Sequence, residues 1–184
     1  MPDHSTHDPG PDLDRWVPRP SLRIAARRES SADPARLWRA AQAVPLAETG
    51  LLGRLVRWRI PGTTAHVPFG VLFREPPFLA LEERDGVLVS GLVGRIWTLR
   101  RDYPVLDDPA QFAAYDQRGS ARVLFGHWVE PAGEGRWALA SEARVEPLGL
   151  QGRLGVGAVR PLVRRFGPLV GSEGLAAAVR RAEG

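Results

Sequence analysis

Residues 120–146 read SARVLFGHWVEPAGEGRWALASEARVE. Two alternating runs flank PAGEG at 131–135, whose proline and two glycines suit a hairpin loop. In the first run, 120–130, Ala121, Val123, Phe125, His127 and Val129 share one face. In the return run, 136–146, Trp137, Leu139, Ser141, Ala143 and Val145 do the same. Apolar residues dominate both faces, so this side of the hairpin is expected to point inward. Arg122, Glu130, Arg136, Glu142 and Arg144 fall on the other side and read as a solvated cross-strand charge ladder.

Working outward, residues 69–75 (FGVLFRE) and 78–84 (FLALEER) read as strands separated by Pro76-Pro77. Asp85-Gly86 is a hairpin turn, and 87–97 (VLVSGLVGRIW) is a long strand. The stretch 100–111 reads as a loop, with Asp108-Pro109 as turn chemistry. Nearer the start, 22–29 alternates loosely and predicts a strand. A helix follows, capped by Ser31 or Asp33 with Pro34 in its first turn and Leu37, Ala41 and Val44 on one face. A second short helix spans about 46–58, with arginines interleaved among Leu51, Leu52, Leu55, Val56 and Trp58. From Gly149 to Glu183 the period turns helical, with Leu154, Ala158, Leu162, Phe166 and Val170 stepping by four. Pro161 and Pro168 are expected to kink or break this element, and seven glycines between 149 and 174 to loosen it. Strands segregated from helices in this order make an α+β fold. A curved antiparallel sheet around one long terminal helix leaves a cavity against the concave face.

The same order resembles the START-like superfamily, also called SRPBCC, Bet v 1-like or polyketide-cyclase-like, with its helix-grip fold. ARRESSADPARLWRAA (26–41) resembles the superfamily's opening strand, capped helix and Leu-Trp pair. GLVGRIW (91–97), FAAY (112–115), WVEP (128–131), SEARV (141–145) and AAAVRRAE (176–183) are similar to segments of an uncharacterised bacterial branch. That branch usually has Thr where Ser141 and Ala143 stand, and a terminal helix richer in aromatics and poorer in glycine. The resemblance implies a hydrophobic cavity for a small ligand such as a lipid, an isoprenoid or an aromatic polyketide. It implies no particular reaction, since the superfamily includes carriers, receptors, cyclases and co-chaperones.

His127 is the only polar member of its inward face and the first candidate to orient a ligand. Ser141 falls near it on the return strand, but with no acid on that face the pair is weak ground for a nucleophile. Phe125, Val123 and Leu139 complete the expected cavity wall. Arg95 and Trp97 share a face with Val89, Gly91 and Val93. If that face is inward, Arg95 is a buried cation needing Glu82 or a ligand as its partner. The leading reading is a small-molecule binding protein. A cyclase or aromatase acting in the same cavity, and a partner-binding module, are the alternatives.

Composition narrows the chemistry. The 184 residues contain no cysteine, and every one of the 25 basic residues is arginine. Thiol catalysis, Cys-ligated zinc, Schiff-base chemistry and a P-loop lysine are therefore excluded. Absent lysine and asparagine beside abundant Arg, Ala, Gly and Pro suggest a GC-rich bacterial coding bias. His66 and His127 stand alone outside the first residues, so no metal site and no cofactor are expected. Net charge is only +4, and with no lysine the arginine count is no sign of nucleic acid. No apolar run reaches membrane-spanning length, so no membrane insertion is expected. Residues 1–20 carry no signal-peptide pattern, which points to the cytoplasm. They are expected to form a disordered tail, with chance histidines at 4 and 7 and with Trp16 and Val17 at most tacking it down. One domain is expected over 21–184.

Overall fold

The β4–β5 hairpin organises the sheet. In the computed structural model, which describes residues 10–60, 62–98, 100 and 103–184 without the side chains of 162, 166 and 168–171, β4 spans Ser120–Gly133 and β5 spans Arg136–Leu148. β1 (Leu22–Ser30) pairs with the far side of β5, while β3 (Val87–Gly94) and β2 (Leu79–Arg84) extend the other side. The order is β1-β5-β4-β3-β2, antiparallel throughout. Helices α1 (Pro34–Ala43), α2 (Gly50–Arg59) and α3 (Phe69–Leu72) follow β1, α4 (Pro109–Ala114) precedes β4, and α5 (Gly149–Glu183) ends the chain. This is the helix-grip arrangement that the order of elements predicts: a curved α+β sheet held against a C-terminal helix.

Local chemistry fixes the helix starts. The Asp33 carboxylate accepts the Arg36 N–H at 2.9 Å with Pro34 in the first turn. Asp108 and Pro109 do the same for α4, where Asp108 accepts the Gln111 N–H at 2.9 Å. What reads in sequence as turn chemistry is thus a helix cap. The predicted strand at 69–75 is also a helix. Phe69, Val71 and Phe73 alternate, but Phe69, Leu72 and Phe73 also fit helical spacing, and it is Val71 that is left exposed. β3 stops at Gly94, three residues short of its predicted end.

α5 is one uninterrupted helix of 35 residues, against the expected break at Pro161 and Pro168. A proline removes one hydrogen bond, whereas α5 packs on β1, β5 and α1. At its end the Glu183 carboxylate accepts the Ser31 N–H and the Ser30 hydroxyl, both at 2.9 Å, which ties the β1–α1 turn to α5. The expected stepping of Leu162, Phe166 and Val170 lies outside the described side chains, as do His4 and His7 outside the described residues.

The glycines of α5 do more than loosen it. The Trp97 ring lies so close to Gly155 that a Cβ there would overlap its indole, whereas a Cβ at Gly157 would meet nothing. Gly155→Ala should therefore cost about 1–3 kcal/mol by overpacking. Gly157→Ala should stabilise by about 0.5–1 kcal/mol through helix propensity alone. Denaturant melts of the two variants check the opposite signs, and two equal gains would show that Trp97 does not sit on α5.

The convex face of the sheet is covered as well. Leu13, Trp16 and Val17 are buried there with Val89, Val93, Phe112 and Leu124. Trp16 meets Phe112 edge-on at 6.4 Å. The expected boundary of the domain near residue 20 therefore moves: the segment from Gly10 belongs to the packed unit, and Gly126 leaves room for Leu13. The charge ladder is corrected too. The Glu142 and Arg144 side chains are each 6% exposed. Arg144 hydrogen-bonds Glu142, Asp14 and the Val17 carbonyl beneath that segment.

Candidate functional site

The concave face of the sheet and the helices above it enclose a cavity of about 210 Å³. Its floor is Leu88 of β3, Phe125 and His127 of β4, and Leu139, Ser141 and Ala143 of β5. Ile24 of β1 lies at one side. The roof comes from Trp38, Ala41 and Gln42 of α1, Leu52 and Val56 of α2, and Gly167, Gly174 and Leu175 of α5. Phe69, Phe73 and Phe78 close another wall. Alternation puts the floor residues on one side, because cross-strand register pairs His127 with Leu88 on one flank and Ser141 on the other.

Aromatic rings surround the cavity's polar group. Phe73 lies 5.1 Å from Phe78, 5.4 Å from Phe125 and 4.7 Å from His127, and Phe78 meets Phe125 edge-on at 5.7 Å. No hydrogen bond joins the His127 side chain to any described residue, and its Nδ1 is sealed from solvent without a partner. That leaves Nε2 as the ring nitrogen available to the cavity. Since an unpaired lone pair is tolerated in protein interiors better than an unpaired N–H, the proton of the neutral ring belongs on Nε2. Burial in this apolar setting lowers the His127 pKa to about 4, so the ring is neutral at neutral pH.

This depression has a consequence for stability. In the unfolded chain the imidazole takes up its proton near 6.5, but in the fold it resists protonation to about 4. The unfolded state binds more protons in between, so stability is full above about pH 6.5 and falls as pH drops toward 4. At about 1.4 kcal/mol per pK unit, the loss is on the order of 3 kcal/mol. Denaturant midpoints measured along this range should fall for the parent protein, and His127→Leu should remove that part of the slope. An unchanged slope in the variant would assign the acid sensitivity to other groups.

The expected site residues divide. Phe125, His127, Leu139 and Ser141 line the cavity. Val123 is buried beside it in the same core without reaching it. Ser141 stands directly across from His127, yet no hydrogen bond links their side chains. Arg95 and Trp97 are not at the cavity. The parity they share with Val89 and Val93 is that of the convex side, and β3 ends before either of them. Arg95 is exposed, Glu82 pairs with Arg84, and Trp97 packs on Gly155 of α5. Sequence reasoning misses Trp38, Leu52, Val56, Phe73 and Phe78 as wall residues. Trp38 is legible as a neighbour of the apolar face of α1, whereas Phe73 is hidden by the strand reading.

The acid that borders the cavity, Glu142, is spent on the convex side, where its carboxylate takes Arg23 at 2.7 Å as well as Arg144. Among the described residues no group of three or more His, Asp or Glu is placed to hold a metal ion. No helix of the described residues is long and apolar enough to cross a membrane.

No family model matches the sequence, and no curated protein does. Solved structures resemble the chain over most of its length. A hypothetical protein from Helicobacter pylori is 9% identical over 95% of this chain and 96% of its own, with a TM-score of 0.46. A protein from Thermus thermophilus is 12% identical over 88% and 97%, with a TM-score of 0.36. The Zhui aromatase/cyclase from a Streptomyces species is 13% identical over 88% and 93%, with a TM-score of 0.33.

Proposed function

We propose that the protein binds a small, mainly apolar molecule in the cavity between sheet and helices, and that His127 holds the one polar group of that molecule. The observation that carries this reading is the His127 ring. It is neutral, walled by aromatics and without a protein hydrogen bond in a cavity whose surface is otherwise nearly all apolar. Ligand sites are mostly apolar with a few placed polar groups, and a buried polar atom left unpaired costs about 1–3 kcal/mol that a ligand can recover.

Size narrows the ligand. An apolar cavity of about 150 Å³ holds benzene, so 210 Å³ suits one ring or two fused rings. A two-chain lipid or a long isoprenoid exceeds it. With the proton on Nε2, the matching group on the ligand is an acceptor oxygen, as in an aromatic ketone. Ser141, facing His127 across the strand pair, is the second polar contact, with Phe125 and Leu139 as apolar wall.

Binding is favoured over the aromatase or cyclase alternative by the same ring. A general base works best with a pKa near the working pH, whereas His127 sits at about 4 and has no acid to orient it. Calorimetric titration with the bicyclic ketone 1-tetralone tests the proposal. The expected result is saturable binding at one site with a negative heat-capacity change. Absence of saturable binding by bicyclic ketones, phenols and lactones alike would overturn it.

A further inference from the structure

Two helical faces among the described residues expose more than one large apolar side chain: the start of α5, with Leu150 and Leu154, and the outer face of α2, which alone includes an aromatic ring. The inner face of α2 sends Leu52 and Val56 to the cavity, and Gly53 packs on the Leu46 carbonyl. Its outer face leaves Leu51, Leu55 and Trp58 exposed at 38%, 39% and 50%. At 3.6 residues per turn these three fall within roughly 60° of one another. Arg54 borders the stripe and Arg57 lies about 60° further round on the same side, both exposed and neither paired with a carboxylate among the described residues. Folding buries the three apolar side chains only in part, and the apolar surface that remains stays in water.

We propose that this face of α2 docks onto the surface of a lipid bilayer containing anionic lipid. Leu51, Leu55 and Trp58 would enter the headgroup–acyl boundary, and Arg54 and Arg57 would meet the phosphates. Leucine and tryptophan beside arginine are the composition of interfacial helices. The charge on this face is of one sign. The nearby carboxylates are already engaged: Glu48 takes Arg181 at 2.7 Å, and Glu173 accepts the Leu51 and Leu52 N–H groups at 3.3 and 2.9 Å. Glu173 also fastens the start of α2 to α5. The other end is held by Arg59, which donates to the Ile96 and Thr98 carbonyls at 3.1 and 2.6 Å and to the Tyr103 hydroxyl at 2.7 Å. The helix is thus fixed at both ends and presents the stripe as a rigid surface.

A second copy of the chain fits this face less well. A two-fold interface would bring the Arg54 and Arg57 of both copies into one patch, with no acidic patch to receive them. The proposal rests on the outer face alone and stands whether or not the cavity takes a ligand.

Sedimentation of the full chain with phosphatidylcholine vesicles containing about 30% phosphatidylglycerol tests it. Binding is expected to anionic vesicles, to be much weaker to pure phosphatidylcholine, and to be lost in about 1 M salt, where the screening length is about 3 Å. Arg54→Gln with Arg57→Gln should weaken partitioning roughly 30-fold. Leu51→Ser with Leu55→Ser and Trp58→Ser should abolish it, while circular dichroism and a cooperative thermal melt show that the fold is unaltered. If the parent protein stays in the supernatant while the anionic vesicles sediment, the proposal fails. Concentration-dependent dimerisation that the serine variant removes would overturn it in favour of a second copy.

Discussion

Deleting residues 1–19 is expected to lower the melting temperature by about 10–20 °C, at about 2–4 °C per kcal/mol for a chain of this size. The segment contributes three fully packed side chains, Leu13, Trp16 and Val17, to the convex face of the sheet. At roughly 1.5–3 kcal/mol for each large buried side chain, their loss alone removes about 5 kcal/mol or more. The deletion also uncovers Val89, Val93 and Leu124 and takes the Asp14 and Val17 partners from Arg144. Sequence composition alone predicts no change, because the segment is rich in Pro and Asp and shows no period. Differential scanning calorimetry separates the two. A melting temperature within about two degrees of the parent protein would mean that the segment does not pack as described.

Arg144→Ala is the second substitution with a large expected effect. Arg144 and Glu142 are buried together, and the guanidinium also reaches Asp14 and a backbone carbonyl. Replacing such a pair with well-packed apolar residues is often neutral, but removing one partner strands the other and costs about 3–5 kcal/mol. Glu142 keeps Arg23, whose side chain is 60% exposed, so the expected loss is nearer the lower figure. Arg144→Ala with Glu142→Ala should recover part of it, since no charge is then stranded. Chemical denaturation of the two variants checks the order. A double variant less stable than the single one by the full additive amount would show that the two residues do not act as a pair.

The hairpin from 120 to 146 is legible in the sequence because apolar residues dominate one of its faces, while all its charged residues fall on the other, among Leu124, Trp128, Ala138 and Ala140. Its register then places Ser141 across from His127 as the alternation implies. β3 is not legible in the same way. All eight of its residues are buried, so alternation cannot tell the concave side from the convex one, and the face of Arg95 and Trp97 is open to misreading. Residues 69–73 fit both a period of two and a helical period, and Pro68 at the start of a helical turn decides the matter. The cover of the convex face is only partly legible: Trp16 and Val17 stand out as residues able to tack the segment down, but with Leu13 they follow no period. They are placed by what the sheet offers them, including the space at Gly126. α5 reads as broken because propensity counts prolines and glycines residue by residue, whereas tertiary packing decides a long helix.

The central claim is that His127 is a ligand anchor rather than a histidine that happens to be buried. Its direct test is the affinity of 1-tetralone relative to its hydrocarbon counterpart tetralin, measured on the parent protein and on His127→Leu. Shape is nearly the same in the two compounds, so the difference isolates the carbonyl. If Nε2–H donates to that oxygen, the parent protein should favour the ketone over the hydrocarbon by about 1–3 kcal/mol more than the variant does. An equal preference in both proteins would contradict the account, and would leave His127 as a residue of the core.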